Sequence, residues 1–163
     1  MIKFILIVAF SFLTFKESSK NILTLHREDD VNGAHISYIK NHISFALENQ
    51  ETYGIPASFT IAQAIYESGG GRSNISRLNN NHFGIKSNGS YKRYKNARQS
   101  YKDHASVMMK NYPYLLFSTD GEVWAANISS MGYVKSKKYG RDIISIIRFY
   151  KLKKYDANEI KGR

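Results

Sequence analysis

The sequence predicts a single, mainly helical domain with a small loop-and-hairpin part, an α+β class dominated by α. Three observations carry this. Apolar residues recur at the 3.6-residue period in four separate stretches. A further stretch, Ile61 to Tyr66, is apolar nearly all round, the mark of a buried central helix. One segment, residues 72–100, is poor in aliphatic residues and rich in Asn, Ser, Gly, Lys and Tyr. At 163 residues and 42% hydrophobic, with 12 Tyr and 9 Phe, the chain has the size and apolar surface for one core.

The chain opens with Lys3 and an apolar run from Phe4 to Phe15, broken only by Ser11 and Thr14. Lys16, Glu17, Ser18, Ser19 and Lys20 follow. This is the pattern of a signal peptide over residues 1–20. The run falls short of the roughly 20 residues a spanning helix needs, so export after cleavage is expected, with a retained N-terminal membrane anchor as the alternative. Residues 21–34, including His26, Asp29, Asp30, Asn32 and Gly33, read as a polar leader.

The folded domain is expected over residues 35–155, followed by a basic tail at 156–163. Ile36, Ile39, Ile43, Ala46 and Leu47 predict an amphipathic helix over 35–51, which Gly54 ends. Pro56 suits the first turn of the central helix. That helix stops at Glu67, Ser68 and three consecutive glycines, 69–71, which permit a tight exit. Residues 72–100 read as loop, with one short hairpin turning at Ser87-Asn88-Gly89-Ser90. Helices resume near Tyr101, with stripes at Tyr101, Ala105, Met108 and Tyr112, then Val123, Trp124, Ile128 and Met131, then Ile143, Ile146, Ile147 and Tyr150. Each stripe reads as core packing.

With no cysteine, disulfides, thiolate zinc sites and a lipidated N-terminal Cys are excluded. The five histidines, 26, 35, 42, 82 and 104, form no HExxH-like pair, so no metal and no cofactor is implied. The formal charge of +11 favours polyanionic surroundings: nucleic acid, anionic membrane or bacterial wall.

Between Glu51 and Asp103 the only acid is Glu67, set among eight Lys and Arg. It closes an apolar helix and opens a glycine bend, where a carboxyl can be half desolvated and still reach a cleft. Burial of that kind raises a carboxyl pKa and keeps a proton available near neutral pH. Protonating a glycosidic oxygen needs such a group. Taken alone, however, Glu67 reads as a loop cap or a partner of Arg72 or Arg77, as most helix-end charges do.

Its context is more specific. The run from Ile61 through Gln63, Glu67 and Arg72 to Ser73, followed by Asn79-Asn80-Asn81-His82-Phe83-Gly84-Ile85-Lys86, resembles the two central motifs of glycoside hydrolase family 73, "AQAxxESGxGxS" and "NNxFGIK". These are bacterial endo-β-N-acetylglucosaminidases of the autolysin and flagellar-rod type. The resemblance continues through Tyr101-Lys102-Asp103-His104 to Gly132-Tyr133 and Tyr139. It implies a lysozyme-like fold, with a glycan cleft between a helical lobe and a small hairpin lobe. It also implies Glu67 as general acid, Tyr133 as the tyrosine across the cleft, and hydrolysis of peptidoglycan after N-acetylglucosamine by a monomer.

The sequence departs from the family in two places. Tyr133 is followed by Val-Lys-Ser where the family has "YATD", and residues 87–102 lack the second glutamate that many members carry. A second carboxylate would have to come from Asp103, Asp120, Glu122 or Asp142, with Asp103 the candidate for orienting water. The preferred alternative is assistance by the substrate's own 2-acetamido group, with Glu67 the sole essential acid. Asn81, Phe83, Tyr91 and Tyr94 are expected to bind or frame the glycan. Phe83 also suits an anchor under the groove, and His82 a loop hydrogen-bonder.

Three other readings use the same residues. A lytic transglycosylase or muramidase places one Glu at the end of a buried helix but leaves a different reducing end. A non-catalytic glycan-binding module would explain the absent second acid. Alternation of Lys92, Arg93, Lys95, Arg98 and Lys102 with Tyr91, Tyr94 and Tyr101 suits a nucleic-acid binder, which the expected export argues against.

Overall fold

The computed structural model describes residues 29–134, 136 and 138–156. The expected signal segment and the basic tail from 157 onward lie outside the described residues, as does the leader up to 28. Residues 29–53 are helical (α1); the described residues divide after Ile36 into two units, 29–36 and 37 onward, each taken by itself. The expectation of an irregular leader as far as residue 34 is therefore corrected from residue 29 onward. Gly33 sits inside the helix, where glycine costs about 1 kcal/mol relative to alanine without ending it. No helix among the described residues is long and apolar enough to cross a membrane.

The second unit is mainly helical, as predicted. Gly54, at φ +73°, ends α1 and donates its N–H to Gln50 O at 2.9 Å. Helix α2, Ala57–Ser68, is the buried centre: every residue from Ala57 to Ile65 is shielded, and it packs on α5 (Gly121–Ser130) and α6 (Tyr139–Phe149). Burying Phe59, Ile61 and Ile65 stabilises this core by about 1.5–3 kcal/mol each. Trp124 of α5 lies against Phe59 and donates its indole N–H to Ser118 O at 2.8 Å. In the stripe that includes it, Ile128 is buried but Met131 is exposed, because α5 ends at Ser130.

Pro56, expected in the first turn of α2, is its N-cap and supplies no side-chain cap. The first amides of α2 are satisfied from a distance instead. Ala57 N–H donates to Gln50 Oε1 at 2.7 Å, and Ser58 N–H to Asp156 Oδ1 at 2.7 Å. The same Asp156 carboxylate accepts from the Ser58 hydroxyl and from Gly121 N–H, the latter at 3.0 Å, so one side chain caps α2 and α5 together.

Between α2 and α4 (Ala97–Asn111) lies the smaller part. A helix the sequence reading missed, α3 (Asn74–Asn79), begins there, capped by Ser73 Oγ on Ser76 N–H at 3.1 Å. It has no apolar stripe, so periodicity could not reveal it. The expected hairpin is present: β1 (Lys86–Ser87) pairs antiparallel with β2 (Ser90–Tyr91) in the register Lys86↔Tyr91, Ser87↔Ser90. Asn88 and Gly89 both have positive φ, the two-residue turn that Asn-Gly favours. Single-turn 3-10 helices, Pro113–Phe117 and Leu152–Tyr155, follow α4 and α6.

Candidate active site

Glu67 stands in the last turn of α2, where two forces on the chain change over. Upstream, the helix is packed on all sides. Downstream, Gly69, Gly70 and Gly71 take φ of +61°, +65° and +80° and turn the backbone out of the core. At Gly71 a Cβ would come within 2.9 Å of the Tyr38 ring, so glycine is required there by approach as well as by angle. Ser68 Oγ fixes the bend by donating to Ala64 O and accepting Gly71 N–H, at 2.6 and 2.8 Å. Arg72 Nε adds a bond to Gly69 O at 3.1 Å and so braces the bend instead of pairing with Glu67.

The carboxyl of Glu67 is half-buried, and Tyr139 Oη donates to its Oε1 at 2.8 Å. Burial raises its pKa, and the Tyr139 bond opposes that rise only partly. Tyr133 is the next ring out, with its centroid 5.4 Å from Tyr139 and 5.9 Å from Tyr112. Burial and the neighbouring Glu67 charge hold the phenols of Tyr133 and Tyr139 far above their ordinary range, so both remain neutral donors. The structure thus brings Glu67 and Tyr133 together, with Tyr139 between them. Tyr139 was visible in the sequence but had been given no role.

The other expected site residues divide. Asp103, on α4, is tied to the segment that follows the hairpin: it accepts from Lys92 Nζ at 2.8 Å and Tyr94 Oη at 2.6 Å. Burial pushes its pKa up, but the Lys92 ammonium and Tyr94 hydroxyl outweigh this and hold it below the usual carboxylate range. Asp120 caps α5 and pairs with Lys153, and Glu122 pairs with Arg148. Asp142 is linked to the surroundings of Glu67: it accepts from Tyr66 Oη at 3.3 Å, and the Tyr66 ring packs edge-on against Tyr139 at 5.1 Å.

Asn81 is 1% exposed and fully engaged, donating to Ile85 O and Lys92 O and accepting Ile85 N–H. It staples the loop from within. Phe83 is likewise shielded, stacked on His104 at 3.9 Å beneath the loop. Tyr94 is tied to Asp103 and only half-exposed. Tyr91 alone of these four presents an open ring, 43% exposed, with Lys86 Nζ 4.6 Å from its centroid. His82 bonds Tyr38 Oη through Nδ1 at 2.8 Å, and burial together with His42 lowers its pKa to about 4.

These ties give one prediction at the hairpin. Asp103→Asn is expected to leave kcat within about twofold and to cost about 1 kcal/mol or less, the scale of a partly exposed ion pair. A tenfold fall in kcat with an unchanged melting temperature would instead place Asp103 in the reaction.

Comparison with known proteins agrees with this geometry. The model of the glucosaminidase family, described as mannosyl-glycoprotein endo-beta-N-acetylglucosaminidase, matches residues 43–152. The exo-glucosaminidase LytG of Bacillus subtilis is 27% identical, the match covering 65% of this chain and 48% of LytG, so the chain spans about half the length of that relative. The catalytic domain of the autolysin Auto from Listeria monocytogenes superposes with a TM-score of 0.67 at 21% identity, over 80% of this chain and 96% of that one. The glycoside hydrolase domain of FlgJ from Salmonella typhimurium does so with 0.64 at 23%, over 72% and 89%. The mainly helical, lysozyme-like fold is common to them.

Proposed function

The chain belongs to the glucosaminidase family, and from that premise we propose that it hydrolyses β-1,4 bonds in peptidoglycan glycan strands, cutting after N-acetylglucosamine, with Glu67 as proton donor. One observation carries this reading most: the motif glutamate is half-buried, its pKa raised by burial, and held by a neutral tyrosine at 2.8 Å. That is the state a general acid for a glycosidic oxygen requires.

In the proposed reaction the Glu67 proton passes to the leaving oxygen as the bond from that oxygen to C1 breaks. The 2-acetamido oxygen of the same sugar closes on C1, which removes the need for a second protein carboxylate. Water then opens this ring at C1 and returns its proton to Glu67. Of the four candidate second acids, Asp103, Asp120 and Glu122 are held by cations, so a two-acid mechanism would have to draw on Asp142, which accepts from Tyr66 Oη, whereas substrate assistance needs none of them. Tyr133, neutral and beside Glu67, faces the reacting sugar, and Tyr91 offers a stacking surface further along the glycan. Export with removal of residues 1–20 brings the protein to this substrate, and its +11 charge suits an anionic wall.

Digestion of purified peptidoglycan, followed by borohydride reduction and mass spectrometry, tests the bond cut. New ends bearing reduced N-acetylglucosamine are expected. Reduced muramic acid would make the protein a muramidase, and an anhydro product a transglycosylase.

A further inference from the structure

Behind Glu67 three polar side chains stand in line. His104 Nε2 lies 2.7 Å from Gln63 Oε1, Gln63 Nε2 lies 2.8 Å from Tyr139 Oη, and Tyr139 Oη lies 2.8 Å from Glu67 Oε1. Gln63 and His104 are almost fully shielded, and Tyr139 nearly so. Each middle member accepts on one side and donates on the other. The row therefore has two self-consistent directions, one donating toward Glu67 and one donating away from it.

His104 distinguishes them. Its Nδ1 is buried with no partner. When the row runs toward Glu67, Nε2 carries the ring proton and Nδ1 is a bare lone pair. Running away requires the Gln63 amide to turn over, so that its NH2 donates to His104 Nε2 and its oxygen accepts from Tyr139; the ring proton must then sit on Nδ1, where the N–H has no acceptor. Orphaned buried donors are rarer than under-satisfied acceptors, and leaving one unpaired costs its full desolvation. Protonating both nitrogens is opposed by burial, which outweighs the neighbouring Asp103 charge and lowers the His104 pKa to about 3. Phe83, parallel to the imidazole within 12°, holds the ring plane.

Direction matters because Tyr139 has one proton to give. Donated to Oε1, it leaves Oε2 as the oxygen on which the acid proton of Glu67 resides. In the reverse direction the Glu67 proton is drawn into a bond with Tyr139 Oη and is withheld from substrate. We propose that His104, acting through Gln63 and Tyr139, is a positioning residue that sets which oxygen of Glu67 carries the transferable proton; the proposal rests on the reading of Glu67 as the acid. It also joins Phe83, of the second motif, through His104 to Gln63 of the first.

The direct test is the tautomer of His104 in the full-length wild-type protein, read from the ¹⁵N shifts of its ring. Protonation at Nε2 is expected, and a proton on Nδ1 overturns the proposal. Two variants test the consequence. His104→Phe keeps the stack on Phe83 but removes the donor, and Gln63→Glu offers Tyr139 a competing acceptor. In each, kcat on peptidoglycan is expected to fall about tenfold or more, part of the 10²–10⁴ a positioned acid supplies, with KM within about twofold. The alkaline limb of the pH profile moves to higher pH, since the Tyr139 bond that holds the Glu67 pKa down is weakened. Folded variants with wild-type kcat and an unmoved limb overturn the role, and should neither fold, the tautomer decides alone. Full activity in Glu67→Gln would sink the assignment of the acid while leaving the tautomer result standing, so the two failures are distinguishable.

Discussion

Glu67→Gln is expected to lower kcat on peptidoglycan by 10²–10⁴ or more, because the amide keeps the shape and the bond from Tyr139 but has no proton to transfer. It is also expected to make the protein more stable at neutral pH. The sign follows from burial, which raises the folded-state pKa of Glu67 above its unfolded value. As pH rises past the unfolded pKa, the unfolded chain loses its proton first and folding stability declines. The decline ends once the folded pKa is passed, and the full penalty is then present. The glutamine removes it, so the melting temperature rises at pH 7 and is unchanged below pH 4. Peptidoglycan turbidity assays and melting curves in parallel check both. An inactive variant that melts lower would mean collapse of the site, and a fully active one would remove Glu67 from the chemistry.

Gly140→Ala carries the second large effect. At this residue, in the first turn of α6, a Cβ would sit 2.3 Å from Ala125 O and 2.9 Å from Ser129 Oγ. The carbonyl belongs to the backbone of α5 and cannot swing aside, so the two helices must part. Gly140 N–H, bonded to Ser129 Oγ at 2.7 Å, loses its partner in the same movement. Overpacking of this kind costs typically 1–3 kcal/mol, at about 2–4 °C of melting temperature per kcal/mol for a chain of this size. Since Gly140 follows Tyr139, displacement of α6 also stretches the 2.8 Å bond to Glu67, and kcat is expected to fall with stability. An unchanged melting curve would contradict the close approach of the two helices.

Much of this was legible in the chain, and the physical reasons are specific. The burial of α2 could be read because its apolar residues leave no polar face, and the Asn88–Gly89 turn because few residues accept positive φ at two adjacent positions. Glu67 was legible through its isolation and its motif. Gln63 and His104 carried a weaker signal of one kind: a polar residue at a position that should be core. Gln63 interrupts an apolar run, and His104 lies three residues after Tyr101 on the same helical face. That marks each as buried but does not name its partner. His104 reaches Gln63 from α4, and Gln63 finds Tyr139 from α6, 76 residues further on, where α6 packs on α2. The partners of Asp103 were hidden for the same reason. Its neighbours in sequence suggested an acid free to orient water, whereas the segment after the hairpin folds Lys92 and Tyr94 onto it. Asn81 and Phe83 have the chemistry of sugar-binding residues, but their burial, set by how the loop closes on α4, turns that chemistry inward.

The carboxylate that caps α2 has a consequence in the order of synthesis. Asp156 lies 98 residues after Ser58, so at 5–20 residues per second the helix bearing Glu67 leaves the ribosome about 5–20 s before its N-terminal cap exists. Until then the first turn of α2 has an open amide and nothing tying it to α5 at Gly121. The helix bearing Glu67 is thus fastened to α5 at Gly121 only by a side chain made long after both helices.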